Sequence, residues 1–337
     1  MKSWQLTAST GADALKLTEL AESQPAPGQV LVRVRATSLN YRDLMVASGR
    51  YGPGVPMPLV PISDGAGEIA AVGAGVTKWK TGDRVAGTFF QNWQTGPVRR
   101  EAFESALGGS INGMLAQFVA LSADGVIAIP PHLSFEEAAT LPCAALTAWH
   151  ALVTDGKISA GQTVLVLGTG GVSIFALQFA KMHGARVIIT SSSDAKLARA
   201  KALGADDTIN YKTTPDWEKE VFRLTDKAGA DHIVEVGGTD TFPRSLRAVA
   251  MGGTISVIGG VSGFTSEVAL RDILGKSALI RGIFVGSRDM FAAMNRAIAL
   301  HRLKPVIDRV FPFFEAPAAY RHQESGAHFG KVVIAVS

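Results

Sequence analysis

Residues 163–190 combine an apolar β-branched run, Thr163 to Leu167, with the glycine-rich turn Gly168-Thr169-Gly170-Gly171. An apolar helical stretch from Val172 to Met182 follows, then a second β-branched run from Val187 to Thr190. This strand–turn–helix–strand unit of about 30 residues is the βαβ context in which a glycine-rich turn binds a dinucleotide. Glycine is needed because the chain reverses tightly and its backbone must approach a pyrophosphate. The helix opening there offers unpaired N–H groups and a positive dipole end to the anion. Gly168, Gly170, Gly171 and Val172 are therefore candidate cofactor contacts. The last position of the G-x-G-x-x-G/A fingerprint holds Ser173, nearly small enough for close helix–strand packing.

The end of the second strand discriminates between coenzymes. An NAD site carries Asp or Glu about 20 residues on, accepting hydrogen bonds from the ribose 2′-OH. Here that place holds Ser191-Ser192-Ser193, with Lys196 about one helical turn beyond. Hydroxyls and an ammonium hold a 2′-phosphate that a carboxylate would repel. Asp194 follows the serine run and opens the next helix. Tyr211, ending the third strand, can add a phenolic donor. The pattern predicts NADP(H) in preference to NAD(H).

Before residue 125 the texture is different. Short β-like runs, 30–36, 67–72, 84–90 and 117–121, are separated by Gly, Pro and Asp, and the cluster 51–58 is too rich in Gly and Pro for helix or central strand. This predicts a mainly antiparallel β domain. A helix begins near Ser134, with Glu137 at the capping-box position. From there strands over 163–168, 185–190, 206–211, 231–236 and 253–258 alternate with helices, the signature of a doubly wound parallel sheet. A further strand over 279–285, a helix over roughly 288–302 and a β-like tail, 331–336, complete the chain. The expected division is a β domain over 1–125, completed by 272–337, and a dinucleotide-binding domain over 126–271.

With 337 residues, 47% of them hydrophobic, the chain can bury two substantial cores. The net charge of +4 comes from interspersed Lys and Arg, with no basic stripe, so nucleic acid is not an expected partner. One cysteine, Cys143, excludes an internal disulfide and fits a reducing compartment. The first ten residues lack a signal-peptide core, and the apolar stretch 164–180 is interrupted by glycines. These features predict a soluble, cytoplasmic protein with no membrane partner.

Several segments resemble the medium-chain dehydrogenase/reductase superfamily: Asn40-Tyr41-Arg42-Asp43, Asp64-Gly65-Ala66-Gly67-Glu68-Ile69, Gly82-Asp83-Arg84-Val85, Leu146-Thr147-Ala148-Trp149, the glycine turn, and Gly330-Lys331-Val332-Val333. The resemblance runs over essentially the whole chain. It implies a GroES-like catalytic domain split across both termini and a Rossmann cofactor domain between them. Zinc alcohol dehydrogenases of this superfamily use a Cys, a His in a Gly-His-Glu triplet and a later Cys as ligands. Here those places hold Asn40, the triplet Ile62-Ser63-Asp64, and Cys143, and residues 90–113 lack the cysteines of a structural zinc lobe. One thiolate without an imidazole does not make a catalytic zinc site, so no metal is expected. His322 and His328 read as surface residues.

The chain thus looks like the zinc-independent, quinone oxidoreductase-like branch. By that resemblance Asn40, Ser191, Lys196, Tyr211 and Lys331 contact NADP or line the nicotinamide site. Thr147, Gly237, Gly259 and the Phe284-Val285-Gly286 turn lie along the cofactor, and Ser192 joins the 2′-phosphate site. The cofactor supplies hydride, and the protein must stabilise charge growing on a carbonyl oxygen of a quinone, enone or related compound. Asn40 and Tyr41 are candidate donors. Tyr51 resembles the proton-donating tyrosine of enoyl-thioester reductases. Asp43 resembles an aspartate that organises the family's site, and can equally pair with Arg42 or another cation. Two alternatives stand beside the quinone or enone reductase: an enoyl-thioester reductase, and a non-catalytic NADP-binding sensor or structural protein. Resemblance also implies a homodimer, with 253–258 and 279–285 near a sheet edge that can pair across a twofold.

Overall fold

The computed structural model describes residues 1–336 apart from Glu22 and Pro53, so Pro53 of the expected loop 51–58 lies outside the described residues. In chain order the strands are β1 (Lys2–Leu6), β2 (Leu15–Glu19), β3 (Gln29–Leu39), β4 (Asp64–Val72), β5 (Arg84–Gly87), β6 (Phe118–Ser122) and β7 (Val126–Ala128). There follow β8 (Thr163–Val166), β9 (Arg186–Ser191), β10 (Asp207–Asn210), β11 (Ala230–Glu235), β12 (Val249–Val257), β13 (Leu279–Gly282), β14 (Ile307–Pro312) and β15 (Lys331–Ala335). The chain forms two compact units, residues 1–146 with 285–336 and residues 147–284.

The first unit is mainly antiparallel. Its larger sheet has the order β14-β15-β3-β4-β5-β7, and β6 pairs with β3. Alternate positions of β3 and β4 supply apolar side chains (Val30, Val32, Val34 and Ile69) to a core shared with Leu107, Met114, Tyr320 and Ile334. Register fixes what happens at one end of this sheet. Leu39 lies opposite Val332, and Ser38 lies opposite Asp64. Three segments far apart in sequence therefore end together, bringing Asn40, Asp64 and Lys331 to one place.

Among the described residues the second unit carries an all-parallel sheet in the order β10-β9-β8-β11-β12-β13. Strands β8, β9 and β11 are buried along nearly their whole length, as the continuous β-branched runs demand of a sheet covered on both faces. Leu165, Ile188, Ile233 and Ile255 meet Trp217 and Leu246 in its core.

The architecture follows the sequence pattern, and its borders differ from those expected. Strand β7 pairs with β5, Val85 opposite Ala128, so the first unit extends past residue 125 to 146. Strand β13 pairs in parallel with β12, Thr254 opposite Leu279, so residues 272–284 belong to the parallel sheet and not to the completing segment. Both strands span only a few residues, too short for periodicity to assign them to a sheet. The helix expected at Ser134 is capped as predicted. Ser134 Oγ accepts from the Glu137 amide at 3.2 Å, and the Ser134 amide donates to Glu137 Oε2 at 2.8 Å.

A backbone-built glycine turn and a buried polar cluster

In the second unit, β8 runs into the glycine turn and the helix Gly171–Met182. Gly168 has φ +74°, with nothing within 4 Å of where a Cβ would stand, so only backbone strain demands glycine there. Gly170 is the N-cap of the helix and offers no side chain to its first amides. An uncapped helix start with an open glycine turn is a fitting cradle for a pyrophosphate. Ser173 is buried, and its hydroxyl donates to the Leu167 carbonyl at 2.7 Å, tying helix to strand where the fingerprint has glycine.

Ser191 is buried at the end of β9, and its hydroxyl accepts from the Ser193 amide at 3.3 Å. Ser193 caps the helix Asp194–Ala202, in which Lys196 stands one turn along, and Ser192 and Lys196 are half-buried. The Asp194 carboxylate accepts from the Asn210 side chain, Nδ2 to Oδ1, at 2.6 Å. Tyr211 is exposed just past β10, its amide donating to the Ser191 carbonyl at 3.1 Å. Thr147 is buried, whereas Phe284 is exposed at the end of the same unit.

Gly237 belongs to a turn whose organiser the sequence reading missed. Glu235, at the end of β11, is fully buried. Its Oε1 accepts from the Gly237 amide at 2.8 Å, the Gly238 amide at 3.1 Å and Thr241 Oγ1 at 2.6 Å. Its Oε2 accepts from Ser245 Oγ at 2.5 Å. Gly259 leaves β12 beside it, its amide donating to the Glu235 carbonyl at 3.3 Å. The available signal was the acid directly before Val236-Gly237-Gly238 at a strand end.

In the first unit the Asn-Tyr-Arg-Asp segment starts the helix Tyr41–Ala47. The Asn40 amide donates to Asp43 Oδ2 at 2.8 Å, which satisfies a group the helix start leaves over. Asn40, Arg42 and Asp43 are buried, and Tyr41 is exposed outside this cluster. Arg42 Nη1 donates to the Leu107 and Gly108 carbonyls at 2.8 and 3.1 Å and lies 3.4 Å from Asp43 Oδ1. The guanidinium also stacks against Tyr51 and Phe89, at 4.5 and 4.9 Å from the ring centroids. Of the two roles weighed for Asp43, the Arg42 pair is formed. Burial pushes the Asp43 carboxyl up to about 6, against the pull of Arg42.

Lys331 is buried at the start of β15. Its Nζ donates to the Leu39 carbonyl and to Asn40 Oδ1, each at 2.5 Å. Gly330 before it has φ +81°, and a Cβ there would stand 2.4 Å from the Val306 carbonyl oxygen, which explains the Gly-Lys pair. Asp64 accepts from Ser63 Oγ at 2.7 Å and from the Cys143 amide at 3.0 Å. Burial lowers the Lys331 pKa while Asp64 opposes it. Burial raises Asp64, and Lys331 holds it back. Asn40 Nδ2 makes no well-formed hydrogen bond, though Asn40 favours the charged form of Asp64. Val285 is buried in this unit with a left-handed φ of +25°.

The cluster's donor set is a poor match to zinc. Burial, then Asp64, pushes the Cys143 thiol far up. An ammonium already holds the Asn40 oxygen. Among the described residues no group of three or more His, Cys, Asp or Glu side chains is disposed to hold a metal ion. His322 is half-buried rather than on the surface, its Nε2 lying 2.9 Å from Asp308 Oδ2.

Residues 26–131 match the alcohol dehydrogenase GroES-like domain and residues 171–299 the zinc-binding dehydrogenase domain. The chain is 47% identical over 334 residues to a zinc-type alcohol dehydrogenase-like protein of Schizosaccharomyces pombe, covering 97% of this chain and 96% of that one. The chain belongs to the medium-chain dehydrogenase/reductase superfamily. It is 33% identical over 277 residues to a quinone oxidoreductase of Pseudomonas aeruginosa, covering 82% and 78% of the two chains. The solved structure of an NAD-dependent alcohol dehydrogenase matches with a TM-score of 0.91 at 37% identity, covering 100% of each chain. As a member of the superfamily this protein is an oxidoreductase, with a GroES-like β unit and a Rossmann unit of the nicotinamide-cofactor type. No helix among the described residues is long and apolar enough to cross a membrane.

Proposed function

We propose that this oxidoreductase is a metal-free, NADPH-dependent reductase of quinones, enones or related small carbonyl compounds. The observation that carries the reading is the Lys331–Asn40 contact. The buried Lys331 side chain holds Asn40 beside Asp64 and Cys143, where zinc-dependent relatives place ligands. A bound nicotinamide supplies the hydride. The backbone of Gly168–Gly171 and Val172 cradles its pyrophosphate, and Ser191, Ser192 and Lys196 take the 2′-phosphate, with Tyr211 at the rim. Thr147, Gly237, Gly259 and Phe284 line the rest of the coenzyme.

Charge that develops on the acceptor oxygen needs a fixed donor in a dry place. Asn40 fills that role through Nδ2, and Asp43 fixes the turn that carries it. Tyr51 supports a second reading. It stands with Gly109 and Ser110 in the wall of a pocket of about 240 Å³ within the first unit, which supports a role as proton donor to an enoyl thioester.

The test is steady-state turnover of quinones, enones and short enoyl thioesters with NADPH and with NADH, alongside metal analysis of the purified protein. Quinone or enone reduction favouring NADPH, with under a tenth of an equivalent of zinc, is expected. Stoichiometric zinc whose chelation stops turnover overturns the metal-free assignment. Better turnover with NADH overturns the coenzyme assignment. Loss of all activity in Tyr51→Phe, on thioesters alone, selects the second reading.

A homodimer is part of the proposal. Strand β13 is exposed at all four positions at the edge of the parallel sheet, with Leu279 and Ile280 uncovered beside exposed Leu270 and Leu274. Such an edge is completed by pairing with a second copy. Sedimentation at the mass of two chains is the expected result.

A further inference from the structure

Lys331 decides what Asn40 can do. An amide side chain has an acceptor end and a donor end of nearly equal shape, and its neighbours determine which way it points. An ammonium offers donors only. With Lys331 Nζ at 2.5 Å from Asn40, and both residues buried, the oxygen must be the atom that faces the lysine. Turning the amide over would set NH₂ against the lysine's own N–H donors between two buried residues, a contact with no acceptor on either side. The second contact of Nζ, to the Leu39 carbonyl of the same strand end, holds the ammonium at that spot.

The NH₂ is thereby fixed on the opposite branch. It has two N–H bonds, and even with one leaning toward Asp64 the other has no acceptor among the described residues. We propose that Lys331 is a positioning residue that locks Asn40 as a hydrogen-bond donor, and so fits the site to an acceptor presenting a carbonyl oxygen there. Drawing electron density toward the amide oxygen also makes the N–H a stronger donor. This inference rests on Asn40 being the donor in the proposed reaction.

A double-mutant cycle separates the two claims. Asn40→Ala is expected to lower kcat about a hundredfold, the usual loss on removing one oxyanion donor. Lys331→Met is expected to lower kcat about thirtyfold. Lys331→Arg, still a donor-only cation, keeps kcat within about threefold. In the Asn40→Ala background Lys331→Met has no further effect beyond about twofold, because the lysine acts only through the amide. Losses that multiply in the double variant, or an unchanged kcat in Lys331→Met, overturn the positioning role. Wild-type kcat in Asn40→Ala overturns the donor reading itself, and this inference with it. If Lys331→Met does not fold, Lys331→Gln enters the same cycle, because its amide can present either end to Asn40, and the same non-additivity is expected.

Discussion

The turn after β8 and the cluster around Asn40 are built in opposite ways. The first is backbone: a left-handed glycine and a run of helix-start amides, all within five residues of one another. The second is side chain: Asn40, Asp43, Asp64, Cys143 and Lys331 reach it from four separate segments, gathered by the register of β3, β4 and β15. A backbone site tolerates substitution of almost anything except its glycines. A buried polar cluster is a mutual arrangement, in which each charge is tolerable only while its partners remain.

Glu235 crosses that division, a side-chain network inside the backbone-built unit, and so gives the sharpest way to break the comparison. Glu235→Ala strands four donors, two of them backbone amides, in a buried place. The expected cost is at least about 3 kcal/mol, seen as a melting temperature roughly ten degrees lower. Glu235→Gln keeps the acceptor oxygen and turns an NH₂ toward donors, so about half that loss is expected. A variant as stable as the wild type in calorimetry would mean that the turn after β11 holds its shape by backbone alone.

The next effect concerns coenzyme choice. Ser192→Asp places a carboxylate where the 2′-phosphate is proposed to dock. The ratio of kcat/KM for NADPH over NADH should fall about a hundredfold. If that ratio is unmoved, the serine run is not the phosphate site. Lys196→Ala should act in the same direction and less strongly, raising KM for NADPH about tenfold while leaving NADH within twofold. A uniform rise for both coenzymes would place the lysine on the pyrophosphate instead.

The same contrast explains what could be read in the chain. The βαβ unit was legible because its chemistry is local: β-branched strand, glycines and helix follow one another directly. The capped helix after Ser134 was legible for the same reason. The partners of Lys331 were not, because nothing in Gly330-Lys331 says that β15 will begin beside Asn40, 291 residues away. Asp64 could be seen only as a departure from a metal triplet, whereas its work is to accept from Ser63 and Cys143 and to balance Lys331. Strands β7 and β13 shifted the unit borders because pairing across a sheet, rather than their own few residues, assigns them.

The smallest expected effect tests the cluster's electrostatics. Asp43 has its ionisation raised from 3.8 to about 6 because burial outweighs Arg42. The folded protein therefore holds a proton that the unfolded chain releases earlier. The stabilisation linked to that proton is complete below about pH 4 and is lost as pH rises through 6. Asp43→Asn has no such proton, so relative to the variant the wild type should lose a few degrees of melting temperature between pH 4 and pH 7. Above pH 7 the difference should be flat. The variant still offers an oxygen to the Asn40 amide, and Arg42 keeps its two carbonyl partners, so the fold survives the comparison. A constant difference across the whole range would mean that Arg42 holds Asp43 ionised throughout. The cluster would then carry its ion pair as a permanent charge, as the helix after the glycine turn carries its dipole.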